Sequence, residues 1–169
     1  MQHLRYTPIL LVVALLLSSC GIYSFSGTSI KPDVKTITIE PVENKAIKVN
    51  PTLANSMTEA LKDKFRKLTS LESVDMDGDL NLYVKITSYE VRAQGITANE
   101  VVAQNRLTAT VSVSFENRKH QEESFENKQF VAYQDFPATQ LLNEVESSLC
   151  ELIIETLVED IYNASVAQW

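Results

Sequence analysis

Apolar and polar residues alternate most cleanly in the middle of the chain. Leu107, Ala109, Val111, Val113 and Phe115 interleave with Thr108, Thr110, Ser112 and Ser114. A period of two predicts a half-buried β-strand. The same alternation runs through Leu80, Leu82, Val84 and Ile86, set against Asn81, Tyr83, Lys85 and Thr87. Two weaker strands flank these, over 35–42 and 124–134. In the first, Ile37 and Ile39 share a face and Pro41 marks an edge or a strand end. In the last, Phe125, Val131 and Tyr133 fall on one face and Phe130 on the other, a conflict that a bulge near Asn127 would resolve. Residues 94–104, with Gly95, form a hairpin loop, and the polar run 117–123 forms a hairpin tip. Two stretches change to helical spacing. Leu53, Met57, Ala60, Leu61, Phe65 and Leu68 follow Asn50-Pro51, an N-cap followed by a proline with no amide proton to waste. Leu142, Val145, Leu149, Leu152, Ile153, Leu157 and Ile161 give a second helix over roughly 139–163, with Glu144, Glu146, Glu151, Glu155 and Glu159 on its wet side.

The order β-α-β-β-β-α predicts an α+β two-layer sandwich: a four-stranded mixed sheet with both helices on its apolar face. The first crossover passes through a helix, so it brings two strands together in parallel.

The N-terminus has a different pattern. His3 and Arg5 precede an unbroken apolar run over 9–17. Nine helical residues rise only about 14 Å, against about 30 Å of hydrocarbon, so a cleaved export signal fits better than a membrane span. The run ends at Leu17-Ser18-Ser19-Cys20, which resembles the lipobox of bacterial lipoproteins. An apolar residue and two small ones admit the chain to a peptidase, and the cysteine supplies a thiol for acylation. The expected organisation is a signal over 1–19, a lipidated tether over 20–33 and one domain over 34–169. The resemblance implies a diacylglycerol on the Cys20 sulfur and an N-acyl chain, enough together for a firm membrane anchor.

Composition adds exclusions. The 169 residues are 44% apolar, too apolar for a disordered chain. With 15 Lys+Arg against 22 Asp+Glu the net charge is −7, which argues against a nucleic-acid partner held through phosphates. Cleavage before Cys20 removes Arg5 and takes the charge to −8. It leaves Cys150 as the one free thiol and His120 as the one imidazole. Cys150 sits on the apolar side of its helix and reads as a small core residue. His120 reads as a solvated residue in a charged hairpin tip.

Catalytic motifs are missing: there is no nucleophile elbow, dinucleotide loop or Walker loop. The expectation is a protein without catalytic residues, resident metal or cofactor. Asp75, Asp77 and Asp79 resemble the start of a calcium loop, but Leu80 and Ile86 stand where that loop needs glycine and glutamate, so the stretch is a turn. Arg92 and Arg106 flank the 94–104 loop and either converge at one end of the sheet, where guanidinium forks suit phosphate groups, or are unrelated strand-end residues. The Thr108–Ser114 hydroxyl row faces either water or a polar wall, such as the lumen of a membrane β-barrel.

Several segments together resemble the LptE family of lipopolysaccharide-assembly lipoproteins. They are the lipobox with the 20–27 extension, the run 34–41, the helix over 53–65, the strand over 106–115 and the C-terminal run 160–169. The resemblance implies a non-enzymatic lipoprotein at the periplasmic face of the outer membrane. It implies residence as a plug inside the barrel protein LptD, help in assembling that barrel, and binding of lipopolysaccharide on its way to the cell surface. Arg92 and Arg106 are the candidate lipopolysaccharide contacts. A free-standing periplasmic lipid-binding lipoprotein, without a barrel, is the alternative.

Overall fold

The computed structural model describes residues 30–48, 50–94 and 103–167. The signal, Cys20 and most of the tether lie outside the described residues, as do the middle of the 94–104 loop and the last two residues.

One mixed sheet carries the fold. Its strands are β1 (Thr36–Ile39), β2 (Glu43–Asn44), β3 (Glu72–Ser73), β4 (Leu80–Ala93), β5 (Gln104–Asn117) and β6 (Phe125–Pro137). Helix α1 (Leu53–Leu68) crosses from β2 to β3, and α2 (Leu142–Val166) closes the chain. The order across the sheet is β3-β1-β4-β5-β6, with β2 also pairing with β4. The α+β reading holds, and β1 does lie parallel to β4. The expected count of four strands is corrected to six, because β2 and β3 have only two residues each. Two residues are too few to display a period.

Pro41 explains one of the extra strands. Of the predicted 35–42 strand only Thr36–Ile39 forms, with Ile37–Ile39 paired to Leu80–Leu82; just beyond its expected end Glu43 and Asn44 pair with Lys85 and Ile86 of the same β4. Proline has no N–H to donate, so the ladder breaks there and resumes as β2. Asn50 caps α1 as its identity suggests, its Oδ1 accepting from the Thr52 and Leu53 amides at 3.0 and 3.2 Å.

Two bulges decide which side chains enter the core. In β4 the register shifts between Ile86 and Ser88, so Thr87 is an extra residue. That reverses the alternation and turns Tyr89 and Val91 inward. In β6, Glu126 and Asn127 together oppose Ser114, since Lys128 pairs with Val113 and Phe125 with Phe115. Asn127 takes φ 51°, the left-handed region, and its amide donates to Ser114 Oγ at 3.1 Å. The bulge expected near Asn127 is therefore present. It places Phe125 and Phe130 on the core face, with Val131 and Tyr133 on the opposite one. Asparagine tolerates left-handed φ better than other non-glycine residues. Asn127→Gly should leave stability within a few tenths of a kcal/mol, whereas Asn127→Val should lose about 1–2 kcal/mol by urea denaturation.

Both helices cover the core face. Leu53, Met57, Leu61 and Phe65 of α1 and Leu149, Ile153, Leu157 and Ile161 of α2 are buried against Leu82, Ile86, Val111 and Phe115. Phe65 meets the Tyr162 ring edge-on at 5.2 Å. Leu68 and Leu152, expected inside from their spacing, are exposed. Thr58, a polar residue in this core, is satisfied: its hydroxyl accepts from the Val42 amide and donates to the Ala54 carbonyl.

Candidate functional site

Among the described residues, no helix lies over one face of strands β4, β5 and β6. The register arranges that face in rows: Lys85–Ser112–Gln129, Ser88–Thr110–Val131, Glu90–Thr108–Tyr133 and Arg92–Arg106–Asp135. Tyr83 stands beside Ser114 towards the far end. The hydroxyls of the β5 pattern thus form the central file of the open face. Ser112 is nevertheless buried, a short side chain between two long ones.

Arg92 and Arg106 converge, being direct cross-strand partners at the end of the sheet that leads into the 94–104 loop. Like charges placed opposite one another repel, and each has a carboxylate beside it. Arg106 grips Asp135 with two bonds, Nε to Oδ1 at 2.7 Å and Nη2 to Oδ2 at 2.8 Å, and its guanidinium lies 3.8 Å from the centre of the Tyr133 ring. This charge-assisted pair holds the Asp135 carboxyl below the usual carboxylate range. Arg92 Nη2 lies 3.0 Å from Glu90 Oε1. Among the described residues the two guanidinium forks at this end are matched by two carboxylates, so an incoming anion must displace or outbid them. Sequence reasoning missed Asp135 because it ended the last strand at 134. The signal available was the hairpin pairing itself, which, run one residue further, sets Asp135 opposite Arg106.

The opposite end of the sheet holds the beginning of the described chain. Lys31 Nζ pairs with Glu123 Oε1 at 2.9 Å and Glu122 Oε1 at 3.3 Å. Asp33 meets His120 Nε2 at 3.0 Å, and this bond holds the Asp33 carboxyl low. His120, expected to be a solvated tip residue, is instead partnered to a residue 87 positions away.

A third polar group lies where the N-terminal parts of α1 and α2 meet β4. Tyr89 donates to Glu146 Oε1 at 2.5 Å and lies 3.4 Å from Cys150 Sγ. Burial is the main reason that the Tyr89 hydroxyl ionises well above its ordinary range, and burial pushes the Cys150 thiol up as well. Cys150 is buried, as expected, and an inert thiol is what such surroundings produce. Among the described residues no group of three or more His, Cys, Asp or Glu side chains is placed to hold a metal ion.

Likeness to known proteins extends over the same domain. Residues 34–165 match the family model described as "LptE: Lipopolysaccharide-assembly", which spans nearly the whole described domain. The chain belongs to the LptE family. Comparison with curated proteins returns no match. Among solved structures, the LptE-family chain resembles the hypothetical protein CT253 from Chlamydia trachomatis, with TM-score 0.53 and 8% identity over 78% of this chain and 98% of that one. This likeness shows a shared fold. It also resembles a minor lipoprotein from Acinetobacter baumannii, with TM-score 0.48 and 18% identity over 76% and 89% of the two chains. Lipoprotein GNA1162 from Neisseria meningitidis aligns with TM-score 0.42 and 13% identity over 76% and 99%.

Proposed function

We propose that this LptE-family protein is an outer-membrane lipoprotein, acylated on Cys20, that sits in the lumen of the LptD β-barrel. There it assists barrel assembly and the delivery of lipopolysaccharide to the cell surface. The family match over the whole domain carries this reading. The fold supports it in two ways. Leu61, Phe65, Leu82, Val111 and Leu157 fill the helix–sheet interface at no more than 1% exposure, where a free-standing carrier would hold its lipid. A cleft of about 470 Å³ between α1 and α2, floored by Ala60, Ile154 and Val158 and rimmed by Asp63, Lys64, Lys67, Glu151 and Glu155, is an open groove and not an enclosed cavity.

The two ends of the sheet then have different roles. The tether enters at the β5–β6 tip. Arg92 and Arg106 lie near the other end of 14-residue strands, about 35–40 Å away at roughly 3.3 Å per residue. Arg92 and Arg106 contact phosphate groups of lipopolysaccharide there, in competition with Glu90 and Asp135.

Affinity purification from mild-detergent membranes tests the reading. A large β-barrel protein should co-purify in about a one-to-one ratio, and its absence across several detergents overturns the plug. Cys20→Ala should abolish incorporation of labelled palmitate. For the arginines, Arg92→Glu with Arg106→Glu should lower crosslinking to lipopolysaccharide several-fold, and Glu90→Gln with Asp135→Asn should raise it. Unchanged capture in both variants dismisses the pair as a lipid contact.

A further inference from the structure

We infer that the outer edge of β4 over Ser88–Ala93 is a strand-addition site, which takes an extended, carboxylate-bearing segment of a second protein. The site goes beyond the barrel reading and does not depend on it.

β4 outruns its neighbour on that side. β2 pairs with Lys85 and Ile86, and its ladder ends where the Lys45 amide donates to the Ile86 carbonyl at 2.9 Å. β4 continues to Ala93, paired on its other side with β5. The Gln94 amide donates to the Gln104 carbonyl at 2.8 Å, which fixes the phase of the β4–β5 ladder. In an antiparallel pair every second residue exchanges both bonds with its partner, and the residues between turn theirs outward. Ser88, Glu90 and Arg92 are therefore bonded to β5, opposite Thr110, Thr108 and Arg106. Tyr89, Val91 and Ala93 turn their N–H and C=O groups to the outer edge, where no strand of the described residues meets them. Donors and acceptors at alternate residues over about 20 Å are the pattern that an extended chain recognises.

Side chains beside the edge give the chemistry of that chain. A groove of about 350 Å³ runs between the strand and the Ile47–Lys48 segment. Ile47 is fully exposed, an isoleucine left in water beside unpaired backbone. Lys48 holds its ammonium 5.9 Å from the centre of the Tyr89 ring and has no carboxylate partner among the described residues. Glu90, the other charge lining the groove, is paired with Arg92. One ammonium is left unmatched. A segment alternating apolar and acidic residues pairs with the edge, covers Ile47 and brings a carboxylate to Lys48.

The other long edge is blunted. β6 has the Asn127 bulge and Lys128 at one end and Asp135 with Pro137 at the other, devices by which native sheets discourage pairing. The outward residues of β4 include neither a proline nor a charge. Leu68 and Leu152 are exposed too, but they lie on helices, whose backbone bonds along its own axis and cannot recruit a strand. A closed β-barrel has no free edge, so the added segment is not a strand of a barrel wall.

The probe is a nine-residue synthetic peptide of alternating valine and glutamate, added to the full-length lipidated protein in detergent micelles. Amide hydrogen exchange is followed residue by residue by NMR. The Tyr89, Val91 and Ala93 amides should exchange fast in the protein alone and at least tenfold more slowly with the peptide. The Ser88, Glu90 and Arg92 amides should be slow throughout. That alternation marks an added strand, and a contact through side chains does not produce it. A peptide with lysine in place of glutamate should bind at least tenfold more weakly, and Lys48→Glu should reverse the preference. Ala93→Pro removes one outward N–H and leaves the ladder to β5 whole, so it should cut binding at least fivefold with unchanged circular dichroism. Protection of the Gln129, Val131 and Tyr133 amides instead, on the β6 edge, overturns the assignment. So does protection without alternation, no protection at all, or equal binding of the two peptides. Protection that grows with protein concentration in the absence of peptide marks a second copy and also overturns it. The barrel reading stands in each case, because co-purification tests it separately.

Discussion

Replacing Phe65 with alanine is expected to cost about 3–5 kcal/mol, the range for truncating a large buried aromatic. Phe65 is 1% exposed and stands near the C-terminal end of α1, where the helix faces both the sheet and α2. Its ring is the edge partner of Tyr162, whose hydroxyl in turn reaches the Leu68 carbonyl at 3.4 Å. Truncation therefore loses the transferred ring and an aromatic pair, and it also opens a void between two helices and a sheet that are each held by their other contacts. Such a void does not collapse cheaply, because the surrounding backbone is hydrogen-bonded into regular elements. Against a total of about 5–15 kcal/mol for a domain of this kind, the loss is a third or more of the stability. Phe65→Leu keeps most of the volume and should lose less than half as much. Urea denaturation followed by circular dichroism separates the two, and equal midpoints for wild type and Phe65→Ala would refute the account.

The second large effect is expected at Gly78, for a different reason. The turn over 74–79 folds across β1, and Gly78 is buried there. A Cβ on it would stand 2.7 Å from the Thr38 nitrogen, 2.8 Å from the Leu80 oxygen and 2.9 Å from the Ile37 carbonyl carbon. All three are backbone atoms held in the β1–β4 ladder, so none can swing aside. Gly78→Ala must lift the turn away from β1. That strains the Gly78 and Asp79 amides, which donate to the Thr38 and Thr36 hydroxyls at 3.0 and 2.9 Å, and the Asn81 bond to the Gly78 carbonyl. Overpacking of about 1–3 kcal/mol and weakened buried hydrogen bonds of about 1 kcal/mol each sum to about 3–5 kcal/mol. Met76→Ala, two residues away and exposed, is the control and should change stability by less than 0.5 kcal/mol or so. Similar denaturation midpoints for Gly78→Ala and Met76→Ala would show that the turn yields more easily than its contacts imply.

Legibility in the sequence followed the length of each pattern. The alternation of β5, the first half of β4 and the stripes of both helices each repeat over enough residues to fix a period, and each matches the structure. The Asn127 bulge was readable because Phe130 stood out of phase with Phe125 and Val131. The Thr87 bulge was signalled in the same way: Tyr89 and Val91 stand out of phase with Leu80–Ile86, while Ser88, Glu90 and Arg92 take the polar positions. The strands β2 and β3 escaped for want of length. The candidate site was legible in outline. Arg92 and Arg106 do face each other, while their neutralising partners Glu90 and Asp135 came only with the strand pairing.

The sequence by itself determined the α+β class, the helix-crossed parallel step, one apolar face on the sheet and a hydroxyl row on the other. These depend on side-chain period and chain order, which are local. Tertiary structure decided what depends on residues far apart in the chain. It set the six-stranded order, tied Lys31 and Asp33 to a hairpin tip some 90 residues later, and matched Arg106 to Asp135 29 positions on. It also put Tyr83, Val131 and Tyr133 on the same open face, because cross-strand register and bulges, not spacing along one strand, settle which side chains become neighbours.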